Sequence, residues 1–162
     1  MLETWLAALE GSALASALRN SVWVYPLVNA GHILGVALLV GAIFPLDLRL
    51  LGIWRSVALG PLWRMLSRTA AFGLALAILF GSLLFITRAT EYAASPLFIT
   101  KMLVIAAGIT NALALNKIAL QGALPEQIST SRRLPLIYRL AAGLSITVWL
   151  TALTLGRLVG YF

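Results

Sequence analysis

Residues 22–44, VWVYPLVNAGHILGVALLVGAIF, contain no Asp, Glu, Lys or Arg. An α-helix rises about 1.5 Å per residue, so about 20 apolar residues cross the hydrocarbon layer of a bilayer. The stretch reads as a membrane span. His32, the chain's single histidine, lies inside it. An ionisable group at that depth is costly, turns toward the interior of a bundle and marks function by default.

Three more runs have spanning length: residues 69–87, 97–116 and 140–156. Only Lys101 interrupts them. None alternates polar and apolar residues, which argues against a β-barrel. Backbone groups in lipid must be paired internally, which leaves helices. The 162 residues are 61% hydrophobic and 10% charged, against about 25% charged in a soluble domain. The expected fold is all-α: one integral membrane domain, residues 1–162, built as a four-helix bundle.

Residues 2–18 read as a separate N-terminal amphipathic helix lying in the interface. Leu2, Trp5, Leu6, Leu9 and Ala13 recur at helical spacing, with Glu3, Glu10, Ser12 and Ser16 at polar positions. A signal peptide would want a basic start and an apolar centre, where Glu3 and Glu10 stand. Between spans one and two, residues 45–68 read as a long connection in which Pro61 opens a short interfacial helix. Asp47 and Arg49 read there as an interfacial ion pair. Gly122, Pro125 and Pro135 punctuate the connection between spans three and four, which reads as flexible.

The formal charge of +7 is spread over span ends rather than gathered in one patch, which argues against a nucleic-acid partner. Arg49, Arg55, Arg64, Arg68, Lys117, Arg132, Arg133 and Arg139 fall on one side; Arg19, Arg88, Lys101 and Arg157 fall on the other. Basic loops stay in the cytoplasm, so both termini are expected outside. There is no cysteine, which removes disulfides and thiolate sites.

Tyr25, Asn29, His32 and Val36 share one helix face. Gly31 and Gly35, then Gly73, Ala77 and Gly81, then Gly108 and Ala112, form small-residue rows. Such rows let helices approach, and Thr and Asn hydrogen-bond across them; Gly143, Thr147, Thr151 and Thr154 make a face of that kind. By rise alone His32 lies about 15 Å below the outer end of its span. Arg88 and Lys101 stand above it, in the outer half.

A lone histidine gives no triad and no three-ligand zinc site. Copper favours thiolate, thioether or several imidazoles, and of Met1, Met65 and Met102 only Met102 belongs to the outer half of a span. Haem b is the better match. One axial imidazole holds a five-coordinate iron, Arg88 and Lys101 are placed for propionates, and glycines make room for a macrocycle. The expected binding residues are His32, Asn29, Lys101 and Arg88, with His32 on the iron. With one histidine, a single chain cannot hold two bis-histidine haems.

HILGVALLVGAIFPLDLRLLG, residues 32–52, resembles the first span of small bacterial membrane proteins of unknown function of the DUF6644 type, and that likeness covers nearly the whole chain. It is more remotely similar to the HemJ-type protoporphyrinogen oxidases, through His32, Pro45, Arg49 and Leu50. LFITKMLVIAAGITNALALNK, residues 97–117, resembles the lysine-bearing span shared by HemJ and the CopD-like copper-resistance domains, through Lys101, Asn116 and Lys117. The first two resemblances imply a protein of the bacterial inner membrane; HemJ implies a b-type haem on His32 with Lys101 functionally important. CopD implies passage of copper. A homo-oligomer, or a place as a subunit of a larger membrane complex, stays open alongside these readings.

Overall fold

The computed structural model describes residues 1–121 and 134–161. Over these residues the chain is helical without strands: α1 Leu2–Glu10, α2 Ala13–Asn20, α3 Val24–Leu51, α4 Leu59–Ile86, α5 Ala89–Ala94, α6 Pro96–Gln121 and α7 Leu136–Leu158. Four helices are long and apolar enough to cross a membrane: α3, α4, α7 and Pro96–Ala119 of α6. The protein is an all-α membrane bundle. Arg132, Arg133, Gly122 and Pro125 of the second inner connection lie outside the described residues.

The closest pairing is α3 on α4, and glycine explains it. A Cβ built on Gly35 would stand 2.5 Å from the Ala77 nitrogen, and one on Gly73 would stand 2.5 Å from the Leu39 nitrogen. The two backbones touch there, as small-xxx-small rows allow in lipid. Helix α3 also packs on α7, and α7 on α6. Among the described residues α4 and α6 do not pair closely, so one flank of the bundle is open. Beneath that flank, Leu39, Trp149 and Ala152 form a core on which Ala70 and Leu74 of α4 and Val104, Ile105 and Ile109 of α6 converge. A second core, at the end where α3 passes into α4, joins Leu46, Leu50, Leu59, Leu115, Ala119, Tyr138 and Ala142.

The inner ends differ from expectation. Helix α3 continues through Pro45 to Leu51, and α4 already starts at Leu59, with Pro61 in its first turn. The expected long connection shrinks to residues 52–58, and the separate interfacial helix is the start of α4. Pro45 removes only the hydrogen bond to the Gly41 carbonyl, and neighbouring helices hold the rest of α3 in line. Gly52, at φ 103°, closes the helix, as a left-handed C-cap does.

Asp47 and Arg49 are not a surface ion pair. Both are buried, at 4% and 6% exposure. Arg49 turns to the loop, where Nε donates to the Val57 carbonyl at 2.8 Å and an Nη to the Arg55 carbonyl at 3.2 Å. The threonine face of α7 also behaves otherwise than expected. Thr147, Thr151 and Thr154 are exposed and donate to carbonyls of their own helix. Asn111 does reach across, donating to the Ala141 carbonyl of α7 at 3.0 Å.

The amphipathic N-terminus is two helices, broken at Gly11 and Ser12. Ser12 caps α2 by accepting from the Ala15 amide at 3.2 Å. Trp5 and Leu9 stay exposed, the apolar face of an interfacial helix. The pair is tied to the end of the bundle where α4 passes into α5. Glu10 accepts from the amide and hydroxyl of Thr90 at the start of α5, and Arg19 donates to the Thr87 carbonyl at the end of α4. Helix ends leave such groups unpaired, so the N-terminal helices cap the α4–α5 corner.

Candidate functional site

His32 sits in the N-terminal half of α3, turned onto α4. Its Nδ1 lies 2.9 Å from the Ala77 carbonyl, which can only accept. Nδ1 therefore carries the proton and donates. In the neutral ring a proton on Nδ1 puts the lone pair on Nε2, and Nε2 makes no hydrogen bond among the described residues. The ring lies in the notch of Gly81, where a Cβ would stand 3.0 Å from its Cε1. The ring is half-buried.

Lys101 is within Coulombic range of His32. It projects from the second turn of α6. Its Nζ lies 5.0 Å from the centroid of the Phe98 ring, a cation–π distance, and its stem runs past Gly156 of α7. It is half-buried and has no acidic partner among the described residues.

Above these two stands an aromatic stack that sequence reasoning missed. Phe85 of α4, Tyr92 of α5 and Phe98 of α6 lie nearly parallel, with centroids 5.3, 5.5 and 6.2 Å apart. The three rings bridge α4 and α6 where their backbones stand apart. Burial pushes the Tyr92 phenol above its ordinary range, so it is a neutral hydroxyl. Tyr25, two turns above His32 on α3, lies within Coulombic range of Tyr92. His32, Lys101 and the stack gather where the α4 and α6 backbones stand apart, and the Leu39–Trp149 core lies about 10 Å along α3 from His32 by helical rise.

Arg88 is not brought to these groups. It precedes α5, is exposed, and pairs with Glu91 at 3.4 Å. Asn29 is exposed on α3, one turn outward of His32. The glycine rows are filled by the protein itself: Gly31 by the Phe80 ring, Gly81 by His32, Gly108 by Val148 and Trp149. They serve helix packing and offer no slot for a macrocycle. Any flat ligand must use the open flank between α4 and α6.

The donor set suits one ligand chemistry. An imidazole lone pair fixed by a backbone carbonyl is the usual form of a metal-bound histidine. An unpaired ammonium facing it suits a carboxylate, and the stacked rings suit a flat apolar body. No group of three or more His, Asp or Glu side chains able to hold a bare metal ion occurs among the described residues. Compared with known proteins, the chain matches no family model, no curated protein and no solved structure.

Proposed function

We propose that the protein binds one b-type haem, or a related flat anionic redox ligand, in the recess between α4 and α6, for redox chemistry or haem handling. The observation that carries this reading is the His32 Nδ1–H bond to the Ala77 carbonyl. It orients the ring and leaves Nε2 as the free ligand atom. Lys101 would hold a propionate, and the Phe85–Tyr92–Phe98 stack would exclude water from the ring edge. Haem, once bound, supplies one-electron chemistry. The resemblance to HemJ through His32 and Lys101 points the same way. A CopD-like role in copper transport finds less support, because the chain offers one imidazole and no thiolate, and Met102 is exposed. In this reading the protein sits in a bacterial inner membrane with both termini outside, where the recess opens.

Haem titration into the detergent-solubilised protein tests the reading. Wild type should develop a Soret band saturating at one haem per chain. His32→Gly should lose it, and free imidazole should restore it by taking the vacated ligand position. Equal Soret bands from wild type and His32→Gly would refute His32 as the ligand. No Soret band from either protein would refute haem.

A further inference from the structure

The inner end of α3 holds a polar group that the recess does not use. Asp47 is the only aspartate of the chain. It is 4% exposed, where α3 meets α7. Ser145 of α7, itself 6% exposed, is the side chain that reaches its carboxyl. Oδ2 of Asp47 has no hydrogen-bond partner. One turn along α7, the Trp149 indole N–H is also buried and without an acceptor. The Trp149 ring lies against Gly108 of α6, and the unmatched Oδ2 of Asp47 is unusual in its own right, since buried polar groups are nearly always paired.

The charge is not balanced by a neighbour among the described residues. Arg49 is committed to the loop carbonyls. Arg64 and Arg68 of α4, Lys117 of α6 and Arg139 of α7 are exposed, and none pairs with Asp47. Tyr138 of α7 is a buried phenol. Helix α2 packs at the opposite end of α3, so it brings no group here. A hydroxyl such as Ser145 gives a hydrogen bond but no compensating charge. A bare carboxylate in such surroundings is not sustained. No fixed cation among the described residues supplies the balance.

We propose that Asp47, backed by Ser145, is a binding site for an exchangeable monovalent cation, a proton or a sodium ion. A proton on Oδ2 removes the charge and turns that oxygen into a hydroxyl. A sodium ion balances the charge by ionic contact. Asp47 lies about 6 Å along α3 from Leu51, so the exchange is with the aqueous phase at that end. The site is independent of His32, which lies about 22 Å away along the same helix.

Infrared spectroscopy of the full chain in lipid membranes tests this. The other four acids are glutamates, so labelling with ¹³C-aspartate reports Asp47 alone. If the cation is a proton, a labelled protonated-acid band converts to carboxylate as pH rises, whatever the sodium concentration. If it is sodium, a labelled carboxylate band shifts when choline is replaced by sodium. Asp47→Asn removes either signal and assigns it. A labelled carboxylate that neither sodium nor pH moves across the neutral range, as a fixed arginine would hold it, overturns the proposal. So does a carboxyl that stays protonated and refuses exchange with deuterated water.

Discussion

Lys101 holds its charge over the Phe98 ring, within Coulombic range of His32, whereas Arg88 carries its own out to Glu91, so neutralising them should have unequal effects. Lys101→Met removes a hydrogen bond from a charged donor, worth about 1.5–3 kcal/mol. At about 1.4 kcal/mol per tenfold, haem should transfer to an acceptor protein about ten to a hundred times more readily. Arg88→Met breaks only an exposed pair, a class worth about 0–1 kcal/mol, and should barely change transfer. Equal losses would place both cations in the recess. Glu10 gives a pH prediction. The Thr90 hydroxyl, and then its amide, hold the Glu10 carboxyl below its ordinary range. A lowered folded-state value means the cap is complete above the unfolded value and is lost as pH falls through the folded one. Amide exchange at Thr90, corrected for its intrinsic pH dependence, should accelerate only on acidification. In Glu10→Gln it should already be fast at neutral pH. Identical profiles would show that the cap contributes nothing. His32 and Lys101 were legible because a titratable group in an apolar run stands out. Asp47 was misread although its spacing held the correction: residues i and i+2 point away from each other on a helix, so Arg49 could not be its partner once α3 passed Pro45.

Between elements, the α3–α4 seam is the contact least able to change. Gly35→Leu puts a branched side chain where a Cβ alone would stand 2.5 Å from backbone. Overpacking typically costs about 1–3 kcal/mol even when side chains can move, and here the helices themselves must part. Thermal unfolding in detergent should shift strongly downward, whereas Gly143→Ala, with nothing within 4 Å of its Cβ, should leave it unchanged. A tolerated Gly35→Leu would show that the seam is not tight. The small-residue rows and the four spans were readable because lipid imposes length and internal pairing on helices. The inner helix ends were not, because proline ends a helix in water but is tolerated where neighbouring helices hold it, as at Pro45. The Phe85–Tyr92–Phe98 stack left no periodic trace, since each ring comes from a different helix and only the six-residue α5 brings Tyr92 against the other two.

Across the whole molecule, α1, α2, α5 and the end of α7 gather at one end, and the loop of residues 52–58 lies at the other. The basic residues Arg55, Arg64, Arg68, Lys117 and Arg139 crowd the loop end, and the positive-inside rule predicts that end on the cytoplasmic side. A reporter fused after Phe162 should be active when it needs export and silent when it needs the cytoplasm; the reverse would invert the bundle and turn the recess inward. The recess itself is tested by the colour of the intact protein. Wild type expressed with ample haem supply and purified in mild detergent should carry a Soret band equivalent to one haem per chain, which disappears in His32→Ala while the mutant protein remains folded in the membrane. A colourless wild type under those conditions, or a band unchanged by His32→Ala, would contradict the account and leave His32 as a helix-packing residue bonded to Ala77.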